Sequence, residues 1–189
     1  MGKIQYVKKA RKEHKCSKCG NIIKAGEPYK KGVINFHPDI VVCDKCPLKS
    51  YEVTTSDYCK QIGAICEDWI EEYGNTETTA SEIATVLEEL RDEVESNLDN
   101  MPDNLRENSP TGEMLQQRLD ELEDAIDALN DIDAEDIRAT AREEAENDHD
   151  EDDYETHSEW EEAVEQEEEE LFENKLSEAI EDAISSLSY

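Results

Sequence analysis

The sequence predicts an α-rich α+β protein in two chemically different parts. A small zinc-binding β-hairpin module, of zinc-ribbon or treble-clef type, precedes an acidic helical hairpin or bundle. Three observations carry this reading. Two C-x-x-C pairs, Cys16-Ser-Lys-Cys19 and Cys43-Asp-Lys-Cys46, are separated by 23 residues. Charge is split along the chain: residues 1–49 hold 12 Lys/Arg and 4 Asp/Glu, whereas the other 140 hold 7 and 47. Beyond residue 54, apolar side chains recur every three or four positions, the period of amphipathic helices. The expected domains are a basic zinc module (1–53), a helix plus helical hairpin (54–133) and highly acidic C-terminal helices (134–189).

The cysteines come first because they constrain the most. A structural zinc ion takes four thiolate or imidazole ligands in a tetrahedron, and two intervening residues let one tight turn aim both sulfurs of a pair at one metal. Cys16, Cys19, Cys43 and Cys46 are therefore the expected ligands, and Zn2+ the expected cofactor in a structural role. Gly20 follows the first pair directly. Residues 1–15 contain no apolar run of the kind a secretory signal has, so a reducing compartment and metal are favoured over disulfides. His37 is a substitute ligand that four cysteines make unnecessary. No fourth position is left open for a reacting molecule, and no helical His pair with a Glu base is present. An enzyme is not expected, and no catalytic residue is nominated.

Composition limits the rest. Net charge is −32, with 37% of residues charged and 6% aromatic, which argues against a large globular core. No apolar run approaches the ~20 residues that span a membrane. The first stretch, KIQYVKKARKEHK (3–15), reads as a strand or arm entering the zinc module. A turn at Lys24–Pro28 and apolar-rich strands near Tyr29–Phe36 and Ile40–Val42 would return the second cysteine pair to the first. Lys8, Lys9, Arg11, Lys12, Lys30 and Lys31 form a basic surface interleaved with Tyr6, Tyr29 and Phe36, suited to phosphates and to stacking on bases.

Helices follow in order. Thr54-Thr55-Ser56 offers hydroxyl caps to a helix ending near Tyr73, where Gly74-Asn75 stops it. Ile62, Ile65, Cys66, Trp69 and Ile70 fall on its apolar stripe, with Cys59 and Cys66 read as buried free thiols. A second helix, from Thr79 or Ser81 to Asn100, carries Ile83, Leu87, Leu90, Val94 and Leu98. A third, capped by Thr111, carries Leu115, Leu119, Leu122, Ile126 and Leu129, a heptad-like seam. The short connection predicts an antiparallel hairpin whose stripes form each other's core, with pairing of two chains as an alternative. A fourth helix is expected over 134–147. A last one, capped by Ser158, shows Trp160, Val164, Leu171, Phe172, Leu176, Ile180, Ile184 and Leu187 as its packing face. Between them, residues 143–173 contain 18 Asp/Glu and no Lys/Arg.

The strings YVKKARKEHKCSKCGNIIKAGEPYKKG, CDKCP and TTSDYC, with NMPDNLRENSPTGEMLQQRLDELEDAIDALNDID further on, resemble a family of small, poorly characterised zinc-knuckle proteins encoded by bacteriophages. The resemblance covers roughly residues 4–133. It implies an accessory role in the host cytoplasm and brings no catalytic residues with it. The basic first part also resembles zinc ribbons of nucleic-acid machinery.

Two functions follow. Carboxylates fixed on helices imitate the phosphate array of DNA, so Glu143, Glu144, Asp148, Asp150, Glu151, Asp152, Asp153, Glu161, Glu162 and Glu165 are expected to bind a basic nucleic-acid-handling protein, as a DNA mimic or inhibitor. The alternative is direct binding of nucleic acid through residues 1–49, the acidic helices serving to mask that surface or to dimerise.

Overall fold

In the computed structural model, residues 2–188 are described, Asp152 by its backbone alone. Five strands precede six helices: β1 (Lys3–Val7), β2 (His14–Lys15), β3 (Ile22–Ile23), β4 (Tyr29–Val33), β5 (Ile40–Cys43), α1 (Asp57–Tyr73), α2 (Thr79–Asp99), α3 (Asp103–Asn108), α4 (Pro110–Asn130), α5 (Ala134–Asp148) and α6 (His157–Ile184). Among the described residues no helix is long and apolar enough to cross a membrane. The chain divides within α1, after Glu67, into two compact units.

The first unit is a three-stranded antiparallel sheet of order β1-β4-β5 with a separate β2-β3 ribbon. Lys3 pairs with Val33 and Val7 with Tyr29, while Tyr29 pairs with Cys43 on the other side of β4. Residues 3–15 thus form edge strand β1, a loop and the short strand β2. The strand expected over Tyr29–Phe36 stops at Val33, because the chain turns there. His37 N–H donates to the Ile34 carbonyl at 3.1 Å, and Phe36 takes φ 63°, a left-handed conformation that no strand tolerates. The core cluster under the strands consists of Ala10, Cys16, Ile23, Val42, Leu48 and Val53, and the part of α1 in this unit adds Cys59, Ile62 and Ile65. Two of the six under the strands are as small as alanine and cysteine, so apolar burial gives the strands themselves little stability.

α1 starts as the hydroxyls predict. Ser56 Oγ accepts from Cys59 N–H at 3.3 Å, and Thr54 Oγ1 from Ser56 N–H at 3.2 Å. Gly63 is required by proximity: a Cβ there would lie 2.1 Å from Cβ of Tyr51. Ile62, Ile65 and Trp69 are buried, but Ile70, expected on the same stripe, is half exposed. Successive helical residues are rotated by about 100°, so Ile70 stands beside Trp69 at the margin of the buried face.

The second unit is built on helix pairs. α2 packs along α4 and α5 along α6, with α6 also against α4. Ile83, Leu87, Leu90, Val94 and Leu98 of α2 are buried, as are Leu122, Ala125, Ile126 and Leu129 of α4. The expected seam fades toward the start of α4, where Leu115 and Leu119 are only partly covered. Two caps differ from expectation. Ser109, not Thr111, caps α4: its Oγ accepts from Gly112 N–H at 3.1 Å, and Pro110 occupies the first turn, where a missing N–H costs nothing. Thr156, not Ser158, caps α6 in a reciprocal capping box with Glu159. In both cases several hydroxyls were available in sequence, and the backbone entering the helix selected one.

Candidate metal centre and charged surfaces

The first cysteine pair lies in the turn between β2 and β3. Cys16 N–H donates to the Asn21 carbonyl at 2.8 Å and Gly20 N–H to the Cys16 carbonyl at 3.0 Å. The turn closes only because Gly20 takes φ +73°, where a Cβ would be strained. The second pair begins on the last residue of β5 and turns back, with Cys46 N–H on the Cys43 carbonyl at 3.2 Å. Ser17 N–H donates to the Val41 carbonyl at 2.8 Å, tying one turn to the strand that bears the other.

These links bring the four sulfurs of Cys16, Cys19, Cys43 and Cys46 within 4.8 Å of one another. The Cys19–Cys43 separation is 3.7 Å and Cys43–Cys46 is 3.5 Å. A tetrahedral tetrathiolate with metal–sulfur bonds of about 2.3 Å has edges of about 3.8 Å, so the donor set fits a metal by size as well as by chemistry. Among the described residues this is the one group of three or more such donors that converges. His37 is exposed on the β4–β5 turn and takes no part. Cys59 is buried and Cys66 partly so. Burial, helped by the Glu67 carboxylate, pushes the Cys66 thiol up to about 11, which keeps it protonated and inert.

Electrostatics around the cluster act on its thiols in opposite directions. Burial works to raise the Cys16 thiol, yet backbone N–H groups from Cys19, Cys43 and Lys18 outweigh it and hold the group at about 6. Cys46 goes the other way, to about 12, chiefly through its side-chain contacts with Cys43 and Cys19. Lys30 supplies a fixed positive charge: its Nζ donates to the carbonyls of Asp44 (3.0 Å) and Cys46 (2.8 Å), clamping the second turn. Partners of this kind around a metal site typically set 10–100-fold in affinity. Lys30→Met is therefore expected to weaken metal binding by about that factor. Chelator competition checks it, and an unchanged affinity would remove Lys30 from the site.

The other expected basic residues separate into two groups. Lys31 is held by Asp39 at 2.8 Å, which raises its pKa. Lys8, Lys9, Arg11 and Lys12 are all exposed in the β1–β2 loop. The aromatics also part company. Tyr29 is half-buried with its ring 5.1 Å from that of His14, whereas Tyr6 and Phe36 stand out at 75% and 105% exposure. The β1–β4 register puts Tyr6 opposite Lys30, near one end of the sheet, and Phe36 beyond Val33 at the other.

The acidic residues lie where helices hold them outward. Glu143 and Glu144 are on α5 and Asp148 at its end; Asp150, Glu151 and Asp153 are in the following turn; Glu161, Glu162 and Glu165 are on α6. All are exposed. The side chain of Asp152 lies outside the described residues. Lys175 takes Glu144 at 2.9 Å and His157 takes Glu151 at 3.0 Å.

What the sequence reading missed is the role of the few cations. Residues 134–189 contain three Lys/Arg: Arg138, Arg142 and Lys175. All three join α5 to α6. Arg138 reaches Glu169 at 3.1 Å, Glu168 at 3.5 Å and Glu77 ahead of α2 at 2.8 Å, and lies 4.0 Å over the Phe172 ring. Arg142 joins Glu168 at 3.0 Å and Glu146 at 2.7 Å. The signal was available: two arginines four apart in a stretch otherwise devoid of positive charge lie on one helical face. The α5–α6 turn is fastened by His149, whose ring contacts Tyr154 and Glu167 and whose carbonyl accepts from Trp160 Nε1 at 3.0 Å.

Fold and site together define a module of antiparallel strands carrying a four-cysteine cluster that could hold a metal, and a strongly acidic helical unit. No family model, curated protein or solved structure matches the chain.

Proposed function

We propose that this chain is a non-enzymatic binding protein whose acidic helices engage a basic nucleic-acid-handling protein, in the manner of a DNA mimic. The observation that carries this is the direction of charge in the second unit. Residues 68–188 hold 44 Asp/Glu and 6 Lys/Arg, and Arg138, Arg142 and Lys175 are drawn between α5 and α6. Carboxylates such as Glu143, Glu161, Glu162 and Glu165 remain on the outside of ordered helices. Such an array attracts a cationic DNA-binding surface, accelerates encounter and loses strength as salt rises. In this reading, a structural zinc ion fills the four-cysteine cluster and organises a ribbon-like first unit. The protein then works in a bacterial cytoplasm, as the phage-type resemblance of residues 4–133 implies.

The test is capture from nuclease-treated bacterial lysate on the immobilised full chain, followed by binding measurements with the recovered protein. A basic DNA-handling protein is expected, released by salt and competing with DNA for the same surface. Glu161→Lys with Glu162→Lys and Glu165→Lys should weaken that complex by about tenfold or more, since each reversal replaces an attraction with a repulsion. Retention that depends on nucleic acid, or an affinity untouched by the three reversals, would overturn the proposal.

A further inference from the structure

The geometry points to a second binding site, on the first unit, for single-stranded nucleic acid: the Lys8–Lys12 loop takes the phosphates and the Tyr6 ring stacks on a base. This rests on observations independent of the acidic helices.

The loop is ordered by its centre. Ala10 is buried, its N–H donates to the Glu27 carbonyl and its carbonyl accepts from Gly26 N–H, each at 2.8 Å. Anchoring Ala10 from both sides leaves Lys8 and Lys9 before it and Arg11 and Lys12 after it, all four exposed. Among the described residues none of these four has an ion-pair partner, whereas Lys18, Lys31 and Lys49 of the same unit are paired with Glu52, Asp39 and Glu67. Glu27, an acid beside the loop, is occupied by its own turn, accepting from Lys24 N–H at 2.7 Å. Glu13 is the remaining acid in this stretch, so the loop keeps a strong positive excess.

Tyr6 stands two residues before the loop, at the end of edge strand β1, with 75% of its surface exposed. An aromatic ring left in water beside four unpaired cations is the combination by which single strands are held without sequence readout. The cations track the backbone and the ring accepts an unstacked base. Duplex DNA offers phosphates to the same loop but keeps its bases stacked, so the ring discriminates between the two. Lys30 and Lys31 are outside this site, because the first is committed to the Asp44 and Cys46 carbonyls and the second to Asp39.

The experiment uses the metal-loaded full chain and fluorescence anisotropy with a labelled oligothymidylate of about 15 nucleotides, the length of one to a few single-strand sites. An unlabelled duplex of equal length and inorganic polyphosphate serve as competitors. Binding is expected at low salt, with duplex and polyphosphate competing more weakly than the single strand. Tyr6→Ala should weaken it about 5- to 100-fold, the range for loss of one stacked base, and Tyr6→Phe should retain it. Replacing Lys8, Lys9, Arg11 and Lys12 by Gln should lower the salt slope by about 0.7 for each phosphate that is no longer neutralised. Lys31→Gln should change affinity less than about twofold, and bound-metal stoichiometry shows that each variant is folded. The proposal fails if the wild type does not bind, if duplex or polyphosphate competes equally well, or if Tyr6→Ala binds like the wild type.

Discussion

Cys43→Ser is expected to abolish stoichiometric metal binding and to unfold the first unit while leaving the helices of the second in place. The physical reason is the disparity between the two cores. The strands of the first unit cover a cluster of six buried residues, among them Ala10 and the candidate ligand Cys16. Its two cysteine turns are joined by Ser17 N–H on the Val41 carbonyl, by Cys43 N–H on Cys16 Sγ at 3.3 Å, and through the sulfurs themselves. Four thiolates left without a metal repel one another or take up protons, and neither holds the turns together. Structural zinc sites contribute apparent binding free energies of about 10–16 kcal/mol at neutral pH, more than such a small unit gains from apolar burial. Amide exchange followed by mass spectrometry would show loss of protection across β1–β5, with protection retained in α2, α4 and α6. A strong chelator should reproduce the pattern in the wild type. If strand amides stay protected after Cys43→Ser and chelation, the metal is not what holds this unit.

The same site makes stability depend on pH with a definite sign. Metal binds the deprotonated thiols, and Cys46 is pushed up to about 12 by its side-chain contacts with the neighbouring thiols, so binding at neutral pH must expel its proton. Affinity therefore rises with pH. Below about 6, where Cys16 also takes up a proton, it falls more steeply.

Phe172→Ala is the second large effect, expected to destabilise the helical unit by about 3–5 kcal/mol. Phe172 is 1% exposed, a large aromatic side chain buried in the helical unit. Its loss leaves a cavity beside α6 and removes the surface on which the Arg138 guanidinium rests at 4.0 Å. Arg138 would then hold Glu77, Glu168 and Glu169 without its support. Thermal unfolding followed by helical ellipticity would show a drop of roughly 10–25 °C for a unit of this size. Because α5 buries only Ala141 and Ala145, the defect should be read first in that helix. The Arg138, Arg142 and Lys175 pairs that also hold α5 are themselves half-exposed. A shift of a degree or two would mean that α5 and α6 are held chiefly by interactions other than these.

The division of labour between sequence and tertiary structure follows from what each kind of signal encodes. Cysteine spacing is chemistry written locally: two residues between sulfurs fit one metal edge, so the four ligands were legible before any fold was known. Helical stripes are equally local: α2 buries the marked residues from Ile83 to Leu98, α4 those from Leu122 to Leu129, and α6 buries Val164, Phe172, Leu176, Ile180 and Ile184, with Leu171 only partly covered. Charge segregation, too, is a property of the chain alone. Which hydroxyl caps a helix depends instead on the path of the backbone arriving there, and so Ser109 and Thr156 displaced their neighbours. Which lysines remain free depends on what lies across the sheet: Lys30 and Lys31 look like Lys8 and Lys9 in sequence but are consumed by carbonyls and by Asp39. The gathering of Arg138, Glu77 and Glu169, distant in the chain, exists only once helices pack, because an ion pair is fixed by distance in space and not by order along the chain.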